Sequence, residues 1–224
     1  KSKDDSVNLE KSGDDLIDAY LERALSKNEN FKAKNGETLN YVLPENKTAD
    51  FAIILGLADE KDACTLKYQE AGGKLFMALK TTGSKHASLI LNTENNMEEI
   101  AANISYGLLL RSYNFDLYKS KKDDDKKKEL KAFDVICDKH SAADKAFKDL
   151  SGIASGVFFA RNLVNEPPNE LYPESYANRV KSELKPLGID VEILDDKKLE
   201  KMGAGAIMAV GKGSERKPRM VIMR

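Results

Sequence analysis

A two-part α/β fold follows from three observations. Short apolar runs alternate with helix-length stretches along the first 137 residues. A long apolar-faced stretch then stops at Pro167-Pro168. Past that stop the alternation resumes and continues to Arg224. The expected organisation is an N-terminal α/β domain over 1–140 and a linker helix with its Pro-Pro junction over 141–168. The opening of a second α/β domain, truncated at the chain end, is expected over 169–224.

The first helix is expected over 14–27, where Leu16, Ile17, Tyr20, Leu21, Ala24 and Leu25 recur on one face. Ser12 or Asp14 can cap it. Residues 36–43 alternate and predict an edge-like strand that Pro44 ends. Phe51 to Leu57 is continuously apolar, which suits a strand buried on both faces, as in a parallel sheet. A helix is expected over 62–80. Gly72-Gly73 inside it costs up to ~1 kcal/mol per glycine relative to alanine, which close packing on a strand would justify. Ala87 to Leu91 predicts a second buried strand, Met97 to Leu110 a helix, and Ala132 to Cys137 another strand.

Residues 119–131 mix lysines with aspartates and read as a solvated loop. A nucleic-acid contact would want interleaved aromatics and unopposed positive charge; the run has no aromatics, and its acids offset its bases in part. Ser141 to Asn165 predicts a long helix, ended by a Pro-Pro that cannot continue it. Pro173 suits the first turn of a helix reaching Leu184. Strands are expected at 189–194, 207–210 and 220–223, forming the start of a parallel sheet. Asp195 is expected to cap a short helix ending near Gly203.

The 224 residues are 41% apolar and 33% charged, with a net charge of −1. That balance fits a globular protein and gives no global field favouring nucleic acid or an anionic membrane. No run approaches the ~18 apolar residues of a membrane span. No secretory signal is visible. Cys64 and Cys137 lie far apart, without metal-ligand spacing. They fit a reducing compartment as small buried apolar groups.

Several motifs invite chemistry and fail on spacing. Five residues separate Gly205 from Gly211, and Gly213 rather than Ser or Thr follows Lys212, so no phosphate loop is formed. A dinucleotide fingerprint fails because an apolar strand is expected between the glycines. His86 and His140 are the only histidines, and no H-E-x-x-H exists. Asp123 to Asp125 lie among lysines, and Asp195-Asp196 suit a helix start. Ser182 and Lys185 match S-x-x-K without any partner motif. The residues themselves therefore nominate no catalytic, cofactor-binding or metal-binding position.

Ala160-Arg-Asn-Leu-Val-Asn-Glu-Pro-Pro-Asn-Glu-Leu-Tyr-Pro173 resembles the junction between the two domains of the leucyl aminopeptidases of peptidase family M17. Leu199 to Ser214, with its Val-Gly-Lys-Gly-Ser ending and following Pro218-Arg219, is similar to a second family segment. Lys34 to Leu39, Ile53 to Leu57 and Tyr113 to Lys119 give a weaker third match. Residues 1–30 depart from the family pattern.

The resemblance implies a macro-domain-like N-terminal domain that serves assembly, and a cytoplasmic homohexamer. It implies an intact hydrolase that removes N-terminal residues, leucine preferred, from peptides using two divalent metal ions, manganese or zinc. In that family Lys, Asp and Glu hold the metals while a second Lys and an Arg assist, all downstream of the segments matched here. Lys212 sits in a look-alike Val-Gly-Lys-Gly, but Ser214-Glu215-Arg216 follows instead of the family's Phe-Asp. No metal is therefore expected on this portion, and the chain alone is expected to be inactive. The alternative reading is a macro-like module that binds ADP-ribose, which needs a glycine-rich phosphate loop after a strand.

Overall fold

The structure of the chain, a computed structural model, describes residues 9, 11–43, 49–57, 63–91, 93, 95–119 and 129–224. It divides into two compact units, residues 1–158 and 159–224. Pro44, the Asp123–Asp125 cluster and most of the 119–131 run lie outside the described residues.

In the first unit, α1 (Asp15–Ser26) starts at Asp14, whose Oδ1 accepts from the amides of Leu16 and Ile17 at 3.0 and 3.1 Å. This satisfies two of the donors that a helix start leaves without partners. Ser12 does a different job. Its amide and hydroxyl both donate to Asp18 Oδ1, at 2.8 and 2.6 Å.

The apolar side of α1 packs Leu21 against Phe31 and Ile54, with Leu39 and Ala52 beside them. The strands β1 (Thr38–Val42) and β2 (Phe51–Leu55) pair in register Asn40↔Ile53. Ile53 and Leu55 point to the opposite face and join the main core. The two-sided burial expected of this run therefore holds. The parallel pairing does not: β1 and β2 are antiparallel. Residues 43–50 are too few for the crossover that parallel neighbours need.

The main core forms between α2 (Thr65–Thr82) and α3 (Met97–Ser112), around the fully buried Ile104 with Ala101, Leu75 and Leu79. A Cβ built on Gly72 would sit 2.0 Å from the carbonyl oxygen of Ile104. One built on Gly107 would sit 1.9 Å from that of Gln69. The glycines thus allow two helices to touch backbone to backbone, and the close partner is a helix where a strand was expected. Beside the contact, Gln69 Nε2 donates to Asn103 Oδ1 at 2.9 Å.

The strands β3 (His86–Ile90) and β4 (Ala132–Ile136) run parallel in register Ser88↔Asp134, with α3 between them in sequence. Ala87, Leu89, Phe133 and Val135 face the main core. The other face is open, and Ile90 and Ile136 are exposed there. This half-buried alternation replaces the fully buried strand expected at 87–91.

The 26-residue α4 (His140–Asn165) runs across the division between the units. In the second unit, α5 (Pro173–Leu184) carries Pro173 in its first turn, where a missing amide hydrogen costs nothing. A single 3₁₀ turn, Lys185–Leu187, and the left-handed Gly188 lead to β5 (Val191–Leu194). Asp195 Oδ1 accepts from the Lys198 amide at 2.9 Å and caps α6 (Asp196–Lys201).

The strand expected at 207–210 is a helix, α7 (Gly205–Gly211). Gly203 ends the preceding helix at φ +73°, and Met208 N then donates to Ala204 O at 3.1 Å. Four apolar residues in a row fit either state, and the glycine-reversed entry selects the helix. The last strand, β6 (Met220–Met223), pairs antiparallel with β5, Val191 opposite Met223. Paired bonds at 3.0 Å between Asp190 and Arg224 extend the ladder. The second unit therefore begins with an antiparallel pair, where a parallel sheet was expected.

Candidate functional site

The Pro-Pro junction and the segment that follows it build a concave surface in the second unit. Pro167 accepts from the amides of Glu170 and Leu171 at 3.0 and 2.9 Å, which turns the chain after the prolines. Ser175 Oγ accepts from the Tyr172 amide at 2.9 Å and donates to the Glu170 carbonyl at 2.7 Å. This ties the turn to the first turn of α5. Tyr172 is thereby placed beneath Arg216, whose guanidinium carbon lies 3.7 Å from the ring centroid, a cation–π contact.

Pro168, Leu171, Ile207, Val210 and Pro218 join Tyr172 in lining an open groove of about 540 Å³. Gly211 closes one side, since a Cβ there would lie 2.8 Å from Pro218 Cδ. The groove is mostly apolar with one cation at its rim. Such a surface can bind or pack, but it presents no paired acid and base.

Two arginines tie the junction and the last strand to the helix starts. Arg179 Nη1 on α5 lies 2.5 Å from Glu166 Oε1, and the Glu166 side chain is only 2% exposed. Arg219 Nη1 donates to Asp196 Oδ1 at 3.2 Å, and its Nη2 lies 3.6 Å from Glu174 Oε1. It links β6 with the starts of α5 and α6. Neither arginine was singled out by sequence pattern, because an ion pair between distant positions leaves no local period. Glu166 is the one acidic side chain directly before the prolines, which is the only hint the sequence offers.

The residues weighed from sequence are not brought together. His86 sits on the open face of the β3–β4 pair, its Nε2 2.5 Å from Asp134 Oδ2, with both side chains about 60% exposed. A pair this exposed contributes little. His140 starts α4. Ser182 Oγ donates to the Arg179 carbonyl at 2.9 Å, an ordinary helix back-bond. Asp195 is a helix cap, and Lys212 follows α7 as its C-terminal cap. Gly205 opens a seven-residue helix that follows α6 and not a strand, so the dinucleotide context fails in a second way. Cys64 is exposed at the start of α2, contrary to the burial expected of it, and Cys137 is half-buried.

The carboxylates of Asp18 and Glu98 are perturbed, for reasons that concern folding. The hydroxyl and then the amide of Ser12 hold the Asp18 carboxyl below the usual range, against the opposing effect of burial. Glu98 is held low chiefly by a hydrogen bond from its own backbone amide, with Lys139 helping. Among the described residues no group of three or more His, Cys, Asp or Glu side chains could hold a metal ion. The donor set described here therefore does not fit a two-metal centre. Gly72-Gly73 does not form a phosphate cradle, because the pair lies inside α2 and Gly72 is closed against Ile104. The macro-like ADP-ribose reading has no support.

Residues 2–122 match the family model for the N-terminal domain of the cytosol aminopeptidase family, and residues 158–224 that for its catalytic domain. A probable cytosol aminopeptidase of Methylorubrum populi is 41% identical over 198 residues, which are 88% of this chain and 39% of the relative. One from Rhizobium leguminosarum bv. trifolii is 38% identical over 196 residues, 87% of this chain and 39% of the relative. The chain thus spans about two fifths of the length of the curated relatives it matches. A mutant tomato leucine aminopeptidase superposes with a TM-score of 0.75 at 22% identity, over 93% of this chain and 42% of that one. The bottromycin maturation enzyme BotP in complex with Mn gives 0.74 at 23%, over 89% and 41%. At those identities the two structures speak for the fold. No described helix is long and apolar enough to cross a membrane.

Proposed function

The chain belongs to the cytosol aminopeptidase family, and from that premise we propose that it is the front portion of a metal-dependent aminopeptidase. The whole protein would hydrolyse N-terminal residues from peptides, leucine preferred, in the cytosol. The observation that carries this reading is the order of the two matches. The N-terminal-domain model and then the catalytic-domain model align along one chain, and the second starts at residue 158 within α4.

Within that reading, residues 1–140 are an assembly domain, 141–168 the connector, and 169–224 the first part of the peptidase domain. A homohexamer is the proposed assembly. Two divalent ions, manganese or zinc, would supply a Lewis acid and an activated water in the whole enzyme. The donors described here do not hold them, so catalytic and metal-binding roles are assigned to residues outside this stretch. What the chain itself contributes is a folded first unit, a helical connector and the turn that leads into the catalytic domain.

The test uses the full-length protein that carries this chain. It is expected to release p-nitroaniline from Leu-p-nitroanilide with added manganese and to lose that activity on chelation. A pure, folded full-length protein that leaves a panel of N-terminal amino-acid anilides and short peptides intact would overturn the proposal.

A further inference from the structure

We propose that Glu166 and Arg179 are positioning residues, a buried ion pair that locks the angle at which the end of α4 turns into α5. The inference goes beyond the peptidase reading and does not depend on it.

The Pro-Pro cannot set that angle alone. Proline fixes φ at Pro167 and Pro168 and restricts the backbone of Glu166, but residues 169–172 remain to be set before α5 begins at Pro173. The four local hydrogen bonds named above shape this stretch, yet all act within 167–175. The contact from Glu166 to Arg179 is different in kind. It spans thirteen positions, from the last residue before the prolines to the second turn of α5.

Burial makes the contact obligatory. The Glu166 side chain is 2% exposed, and a carboxylate so far from water is tolerated only when paired. The guanidinium is 36% exposed and keeps part of its hydration. The cost of opening the turn therefore falls on Glu166, which would lose the Arg179 guanidinium while still held among the residues that bury it. Exposed pairs elsewhere in the chain, such as His86 with Asp134, carry no such penalty. An acidic residue just before a Pro-Pro thus works as an anchor point.

The asymmetry gives a test that separates positioning from general stabilisation. Spin labels at Val164→Cys and Glu183→Cys, both exposed positions, report the distance between the end of α4 and α5 in the full chain, with Cys64→Ser and Cys137→Ala as background. Amide exchange of residues 166–172 is followed in parallel.

Arg179→Met takes the guanidinium away from a buried carboxylate, so it should broaden the distance distribution and speed exchange at the junction by roughly tenfold or more, while α2 and α3 exchange as before. Glu166→Gln removes the charge and keeps the shape, so its effect should be smaller. The double variant Glu166→Gln with Arg179→Met should lie closer to wild type than Arg179→Met alone. If Arg179→Met fails to fold, recovery of folding in the double variant supports the proposal, and continued failure overturns it. Unchanged distances and exchange in Arg179→Met, or a double variant no better than Arg179→Met, also overturn it. Loss of peptidase activity is not a readout here, so failure of the functional reading remains distinguishable.

Discussion

Gly72 and Gly107 lie on opposite helices at the crossing of α2 and α3, each closed by a backbone carbonyl of the other helix, Gly72 by Ile104 and Gly107 by Gln69. Neither position has room for a methyl group, and backbone cannot move aside as a flexible side chain can. Gly72→Ala and Gly107→Ala are each expected to cost about 3 kcal/mol or more, the upper range for overpacking. Thermal unfolding of the full chain checks this.

Gly152 and Gly156 are the internal control. A Cβ at either meets nothing within 4 Å, and both lie inside α4. Alanine there should raise stability by roughly 0.5–1 kcal/mol each, through helix propensity alone. Opposite signs for the two glycine pairs in the same unfolding assay are the expected outcome. A loss of stability at Gly152 or Gly156 would contradict the open surface described for that face.

Asp18 should make the first unit sensitive to acid. Its folded pKa is lowered, first by the Ser12 hydroxyl and then by the Ser12 amide. A depressed folded pKa means the stabilisation is fully present above the unfolded value. It is lost as pH falls from the unfolded value through the lower folded one. Ser12→Ala should flatten the fall in stability between about pH 4 and lower values, the region of an ordinary aspartate. Chemical denaturation of Ser12→Ala and wild type at a series of pH values tests the sign.

The second unit should be the first to yield to protease when this stretch is studied alone. Val210 is 91% exposed, and Leu187, Met202 and Met223 are also open to solvent. Apolar surface on this scale, around the groove and the β5–β6 pair, is the mark of a face meant to be covered. Trypsin should cut at Lys212 or Arg216 well before it cuts within α2 or α3. Equal resistance of 170–224 and 65–112 in a monomeric sample would count against the assignment to a larger peptidase domain.

Much of the fold was legible because period and punctuation agreed. Leu16, Leu21 and Leu25 marked α1, Asp195 marked the α6 cap, and Pro173 marked the start of α5. What stayed hidden was pairing and partner. The apolar run 51–57 announces burial on both faces but not the direction of its neighbour. Gly72 announces a close approach but not that the approaching chain is a helix. Ile207 to Val210 is too short a run for period to decide, and a left-handed Gly203 settled it as helix. At the junction the prolines were plain, while the Glu166–Arg179 contact depends on folding that no local pattern records.

The contact between α2 and α3 also has a meaning in time. Its polar pair, Gln69 with Asn103, is separated by 34 positions, so the main core closes over a short stretch of chain. Roughly sixty residues separate the end of α3 at Ser112 from the start of α5 at Pro173. At ~5–20 residues per second, synthesis gives the first helical pair a head start of about 3–12 s over the second unit. The exposed apolar face of residues 159–224 therefore emerges only after the first helical pair has had time to close on itself.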